Sequence, residues 1–91
     1  MANTKDDAVS KARKDLAQRL GVSETDIRDD SLEETDFPDT ALGAGGDDEM
    51  SGQMLTRGWR IRLQAKDKTY EYRADKNQLR LYDFKGKNYL I

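Results

Sequence analysis

A chain of 91 residues, 35% of them hydrophobic, can form one small domain around a single core. The absence of cysteine and histidine excludes a disulfide framework, a thiolate nucleophile, a cysteine-bound metal centre and the side chain most often used as a general base. The net charge of −2 is unevenly placed, because residues 1–56 carry 14 acidic and 6 basic side chains whereas residues 57–91 carry 4 and 10.

The first predicted element is an amphipathic helix over about residues 5–20. Thr4 and Asp7 have the spacing of a capping box at its start, and Gly21 suits the left-handed position that follows a helix. Apolar side chains recur at helical spacing, at Ala8, Val9, Ala12, Leu16 and Leu20. Because this stripe is narrow and rich in alanine, the helix is expected to lie close against another element.

The segment after the helix is predicted to form a single helical turn and then an edge strand. Ser23 and Asp26 repeat the cap spacing. Residues 28–36 contain one apolar side chain, Leu32, among many acidic ones. A strand there would face solvent at the edge of a sheet, where charged side chains discourage further pairing.

Residues 37–55 are predicted to form a long connecting loop. Pro38 biases Phe37 toward an extended conformation, and Asp39 can close a turn through its side chain. Apolar anchors point inward more often than outward, so residues 37–43 are expected to be mainly structural. The loop as a whole is also a candidate recognition surface, with Phe37, Asp39, Leu42, Met50 and Met54 as its candidate residues.

From Trp59 onward the apolar residues recur with period two, as in half-buried strands. Strands are predicted over about residues 57–66, 68–75, 79–85 and 88–91. The whole chain is predicted to be one α+β domain over residues 1–91, with the N-terminal helix packed on one face of a 3–5-stranded antiparallel β meander in two layers. The apolar face beneath the helix is predicted to carry Ile61, Leu63, Tyr70, Tyr72, Leu79 and Leu81.

The polar side of these strands is a candidate basic face. Four arginines are expected on it: Arg60, Arg62, Arg73 and Arg80. Tyr82 and Phe84 are expected on the same side, and a basic face with aromatic rings can stack bases and bind phosphates. Glu71 lies among the arginines and the chain is acidic overall, so internal pairing explains the same pattern and nucleic acid is not the expected partner.

No catalytic residue, cofactor or metal site is predicted. The acidic run Asp47, Asp48 and Glu49 is a poor calcium site, because adjacent carboxylates point in different directions and lack the alternating spacing of an EF-hand. Carboxylate catalysis needs an enclosed cleft that raises one pKa, which a domain of this size rarely provides. We therefore expect a protein that is not an enzyme.

No apolar run approaches the roughly 18 residues of a membrane span, and the N-terminus lacks the apolar region of a signal peptide. These features predict a soluble protein with no membrane partner. A cytoplasmic location is expected, although an exported protein whose signal had been removed would have the same sequence features.

Four stretches carry a resemblance to a known family: DLAQRLGVS (15–23), FPDTALG (37–43), GQMLTRGWRIRLQA (52–65) and TYEYRAD (69–75). They resemble a small bacterial domain family, common in cyanobacteria and often secreted, with no established activity. The resemblance implies a helix before an antiparallel sheet, a shape similar to PepSY-like and cystatin-like modules, some of which are linked to protease inhibition or regulation. Where many relatives have Cys-Pro, this chain has Ala44 and Gly45, as expected in a reducing compartment.

The function predicted from these features is a non-enzymatic module that docks an unknown protein or peptide on the loop and an adjacent strand edge, as a monomer or weak dimer. Full burial of Phe37, Leu42 and Met54, with no exposed apolar patch nearby, would remove that site. Binding of an anionic polymer by the arginine face is the alternative. A protease-regulating role rests on the resemblance in shape alone.

Overall fold

The computed structural model describes residues 4–46 and 49–91 and confirms the predicted α+β fold class. Among these residues it contains one α-helix, one 3₁₀ turn (Glu24–Asp26) and one five-stranded sheet. The helix is α1 (Lys5–Leu20), and the strands are β1 (Arg28–Phe37), β2 (Thr56–Ala65), β3 (Lys68–Ala74), β4 (Leu79–Phe84) and β5 (Lys87–Leu90). Each strand pairs antiparallel with the next in chain order, so the sheet is a meander.

Helix α1 begins and ends where the capping residues predict. The Thr4 hydroxyl accepts a hydrogen bond from the Asp7 amide, and the Asp7 carboxylate accepts one from the Thr4 amide, each at 3.1 Å. Gly21 closes the helix in the left-handed region with φ 67°. Ala8 and Ala12 are fully buried, so the helix lies close to the sheet as the narrow stripe predicts.

The main core lies between α1 and one face of the sheet. Its buried side chains from the sheet include Ile61, Leu63, Ala65, Tyr72, Ala74, Leu79 and Leu81. The hydroxyl of Tyr72 donates a hydrogen bond of 2.6 Å to the carboxylate of Asp15 on α1, which also accepts one of 2.7 Å from Arg19. Burial, together with the bond to Asp15, raises the pKa of Tyr72, so this hydroxyl keeps its proton and ties the helix to β3.

The second face of the sheet is partly covered by residues 38–46, the first part of the loop between β1 and β2, which adds an irregular layer to the predicted two. Leu42 and Ala44 in this loop are fully buried. Arg73 of β3 donates a hydrogen bond to the Leu42 carbonyl at 3.0 Å, and Gln78, just before β4, donates one to the Thr40 carbonyl at 2.7 Å. The helix therefore packs on one side of the sheet and the loop on the other.

Phe84 lies on the helix side of the sheet, so its predicted place on the arginine face is wrong. The register of β4 with β5 shifts between Leu81 and Phe84, and Asp83 within that interval has φ 51°. This irregularity interrupts the alternation of side chains between the two faces. The Phe84 ring consequently packs near the rings of Tyr70 and Tyr89, with centroids 5.9 and 6.2 Å apart.

Strand β1 forms one edge of the sheet, as predicted for residues 28–36, and continues to Phe37. Nine of its ten residues pair with β2, and the register skips Asp30, between Asp29 and Ser31. No other strand among the described residues pairs with β1, so its outer backbone groups form a free edge.

Candidate functional site

A groove of about 480 Å³ lies between α1 and β1. It exists because the helix packs mainly over β2 and β4 and leaves the edge strand largely uncovered. The apolar side chains that line it come from three elements: Val9, Leu32, Ile61 and Leu63. Leu32 remains 41% exposed, so the groove has an apolar floor that a ligand can reach.

The polar side chains at the groove have an excess of negative charge. Arg13, the basic residue that lines it, is already engaged: its guanidinium donates to the Ile27 carbonyl and pairs with the Asp29 carboxylate. The carboxylates of Asp6 and Asp30 also line the groove, and neither forms an ion pair with any described residue. The groove therefore offers two unpaired carboxylates and, among the described residues that line it, no unpaired cation.

Strand β1 is acidic along its whole length. Its carboxylates are Asp29, Asp30, Glu33, Glu34 and Asp36. Several of them pair inward with β2: Glu33 with Arg60 at 2.5 Å, and both Glu34 and Asp36 with Arg57 at 3.2 Å. A second copy of β1 placed alongside would bring carboxylates next to carboxylates, so the edge opposes self-pairing.

The first part of the predicted recognition loop is structural. Phe37 is 1% exposed and Leu42 is fully buried, so neither can contact a partner directly. The carboxylate of Asp39 accepts hydrogen bonds of 2.9 Å from the amides of Ala41 and Gly43, which shapes the turn. These contacts agree with the expectation that residues 37–43 serve the fold.

The second part of the loop is exposed. Met50 is 96% exposed and Met54 is 66% exposed. Leu55, which was not among the predicted recognition residues, is 74% exposed beside Met54. Because Phe37 pairs with Thr56 in the sheet, Met54 and Leu55 enter β2 at the end of β1, and an exposed apolar patch therefore accompanies the free edge.

The four candidate arginines do lie together on the sheet face opposite the helix, but they have carboxylate partners there. Glu71 is within 3.4 Å of Arg60 and Arg62 and within 2.7 Å of Arg73. The guanidinium of Arg73 also stacks over Tyr82, 3.6 Å from the ring centroid, and its side chain is only 12% exposed. Most of this basic face is thus engaged within the protein.

Arg80 is the most deeply buried of the four, with 6% of its side chain exposed. Its guanidinium binds both carboxylate oxygens of Glu49, at 2.7 and 2.5 Å, and donates to the Ala44 carbonyl. The bond to Arg80, assisted by the Gly46 amide, lowers the pKa of Glu49 to about 2. This pair holds the far part of the loop on the sheet.

Within the part of the chain that the structure describes, no cluster of three acidic, histidine or cysteine side chains could hold a metal ion. Of the acidic run weighed as a calcium site, Asp47 and Asp48 lie outside the described residues and Glu49 pairs with Arg80. In the same described part, no helix is long and apolar enough to cross a membrane.

Sequence reasoning missed the groove itself. The feature that could have predicted it is the narrow apolar stripe of α1. Its fully buried side chains are Ala8, Ala12 and Leu16. So narrow a contact face cannot cover five strands. Leu32 on the acidic strand marked the position that would stay uncovered.

A model of a protein family described as "Domain of unknown function (DUF8738)" matches residues 9–82, and the chain belongs to this family. The predicted likeness to a small domain family without an assigned activity is confirmed in that form. No curated protein and no solved structure matches the chain significantly.

Proposed function

We propose that this member of the family is a non-enzymatic module that binds an extended protein segment along the free edge of β1. The observation that carries the proposal is a ten-residue edge strand lying directly beside an apolar groove. A segment added to such an edge gains main-chain hydrogen bonds, and pockets for alternate side chains give specificity. Here the groove between α1 and β1 is the pocket.

The other surfaces of the fold are less suited to this task. The opposite edge, β5, has only four residues, Lys87–Leu90. The sheet face with the arginines lies under the loop, and the other face lies under α1. The exposed Met54 and Leu55 stand at one end of β1 and can extend the contact area of a docked segment.

The positions of the perturbed side chains support a role without catalysis. The two large pKa shifts among the described residues are at Glu49, where the bond to Arg80 lowers the pKa, and at Tyr72, where burial and then the bond to Asp15 raise it. Glu49 lies on the loop side of the sheet and Tyr72 on the helix side, so they share no cleft. Catalytic groups with shifted pKa values would be expected to share one.

A bacterial origin, a PepSY-like or cystatin-like relationship and a cytoplasmic location belong to the proposal as well. The resemblance of the four sequence stretches supports the first, the helix that precedes an antiparallel sheet supports the second, and Ala44 and Gly45 in place of Cys-Pro support the last. Protease regulation would follow from the cystatin-like shape. A panel of cysteine and serine proteases that shows no inhibition at micromolar protein would remove that role.

Binding of an anionic polymer is the second candidate function, favoured by the clustering of four arginines beside Tyr82 on one face. Arg62 is the most open of them, with 41% of its side chain exposed. Changing Arg60→Glu together with Arg73→Glu should abolish a salt-sensitive association with single-stranded RNA or DNA. No detectable binding of either polymer at low salt would eliminate this function.

Selection of peptides from an unbiased library tests edge binding. Selected peptides should perturb the amide NMR signals of residues 28–37. Leu32→Lys should lower their affinity about fivefold or more, because it places a charge in the apolar part of the groove. Leu90→Lys is the matched control, since it makes the same change at an exposed position on the opposite edge. Peptides that perturb β5 or residues 49–55 instead, or equal losses in both variants, would contradict the proposal.

A further inference from the structure

We infer that the segment bound at β1 is basic and inserts a lysine or arginine side chain into the groove between α1 and β1. The inference rests on the proposed function and names the chemistry of its partner. A long basic side chain has an aliphatic stem and a charged head, and it buries the stem while the head seeks a polar partner. The groove presents surfaces for both parts.

The floor of the groove fits the aliphatic stem. Val9 from α1 and Leu32 from β1 stand on opposite sides of it, with Ile61 and Leu63 beneath. The volume of about 480 Å³ exceeds what a single side chain requires, so a stem can enter along with part of the docked backbone.

The rim of the groove fits the charged head. Asp6 belongs to the first turn of α1, and Asp30 falls at the irregularity of β1, where the register with β2 skips it. Such bulges re-aim a side chain out of the ladder. Because neither carboxylate has an ion-pair partner among the described residues, both remain available to a cation from outside.

A cation from outside the groove is needed to neutralise Asp6 and Asp30. Arg13 cannot fill this role, since Ile27 and Asp29 already hold its guanidinium. An anionic side chain would instead meet the unpaired carboxylates at close range.

The remaining length of β1 predicts the pattern of the bound segment. Leu32, Glu34 and Asp36 pair with Ile61, Trp59 and Arg57 and so lie on one side of the strand. A docked strand turns every second side chain to that same side, where it meets first the groove and then Glu34 and Asp36, which already pair with Arg57. The basic side chain is therefore favoured at the position beside the groove.

Short blocked peptides in which threonine alternates with a test residue provide the probes. The test residue is lysine, norleucine or glutamate, which separates the charge from the stem. The lysine peptide should bind with perturbation of the amide signals of residues 28–37, the norleucine peptide about fivefold more weakly, and the glutamate peptide not detectably. Fluorescence anisotropy gives the affinities and NMR gives the location.

Removal of the two free carboxylates tests their role directly. Asp6→Asn combined with Asp30→Asn should weaken the lysine peptide about fivefold and abolish its advantage over the norleucine peptide. Glu24→Gln combined with Asp67→Asn is the matched control, because it removes the same charge from exposed residues that do not line the groove. Thermal unfolding of both variants verifies that they remain folded.

The outcomes separate the inference from the function on which it rests. The inference of a basic side chain is overturned if the norleucine peptide binds at β1 as tightly as the lysine peptide, or if the control variant loses as much affinity as the groove variant. Edge binding would stand in either case. If none of the three peptides perturbs β1, both the inference and the proposed function are overturned. A lysine preference that vanishes only in the groove variant supports both.

Discussion

A side chain larger than hydrogen has no room at Gly58. A Cβ atom there would lie 2.3 Å from the Ala74 carbonyl oxygen and 3.2 Å from the Phe37 ring. Glycine thus lets β2 run under Phe37, which anchors the loop at the end of the edge strand.

Gly58→Ala is expected to lower the free energy of unfolding by about 1–3 kcal/mol, because strand or ring must move to admit the methyl group. Chemical denaturation measures the change. Gly46→Ala is the control: a methyl group at that position would lie 3.9 Å from its nearest neighbour, a Glu49 carboxylate oxygen, and the variant should match the wild type. Equal stability of all three proteins would show that the backbone contact at Gly58 is not tight.

The ion pair between Glu49 and Arg80 makes the stability of the fold depend on pH. Arg80 lowers the pKa of Glu49 from 4.5 to about 2 in the folded protein. A lowered folded-state pKa means that the pair stabilises the fold above pH 4.5 and that this contribution is lost as the pH falls toward 2. About a third of the Glu49 side chain is exposed, so water screens part of the effect.

Glu49→Gln should therefore be less stable than the wild type at neutral pH, with the difference shrinking as the pH falls from about 4.5 to about 2. Unfolding midpoints recorded across this range measure it. A difference that stays constant with pH would mean that the carboxylate charge of Glu49 does not contribute to holding the loop.

Between elements, one buried hydrogen bond connects α1 to β3. Tyr72→Phe removes the hydroxyl that bonds to Asp15 at 2.6 Å and should destabilise the protein by about 1–2 kcal/mol. Tyr82→Phe is the matched control, because the Tyr82 hydroxyl makes no hydrogen bond with any described residue and its ring keeps the Arg73 contact. Chemical denaturation measures the free energy of unfolding of both variants. Similar decreases in the two would mean that the hydrogen bond between Tyr72 and Asp15 does not stabilise the fold.

The close approach of α1 to the sheet depends on its small side chains. Ala12 is fully buried, so Ala12→Leu should push the helix outward and lower the free energy of unfolding by about 1–3 kcal/mol. Lys14→Leu makes a leucine at an exposed position of the same helix and should have little effect. If Ala12→Leu were equally well tolerated, the helix would not be packed as the structure shows.

Elements with local signals could be predicted from the sequence. Thr4, Asp7 and Gly21 marked the ends of α1, and the period-two pattern marked β2 and β3. Phe84 could not be placed, because an irregularity at Asp83 breaks the alternation and leaves no trace in the pattern of apolar residues. Local order is visible in the sequence, whereas a shift in register depends on the neighbouring strand.

The candidate site was harder to predict than the fold. Phe37 and Leu42 were expected to point inward and are buried, so the loop could be recognised as partly structural. The groove could not be predicted, since it depends on how far α1 reaches across the sheet. Asp30 is unpaired because of the bulge between Asp29 and Ser31, which no pattern in the sequence predicts.

At the scale of the whole molecule, the uneven charge of the two halves is largely used within the fold. Basic side chains of the later strands pair with acidic ones of the earlier segments, as Arg60 does with Glu33 and Arg80 with Glu49. The charge that is left on the surface includes the acidic edge of β1 beside the groove. The shape and the charge of the molecule thus point to the same surface.

A structure of the protein with the tightest peptide selected from the library tests the central claim most directly. The account predicts that the peptide lies beside β1 as a sixth strand, hydrogen-bonded to residues 28–37, with a side chain between Val9 and Leu32. A peptide found instead on residues 49–55, on β5 or on the arginine face, with the edge of β1 still bare, would contradict it.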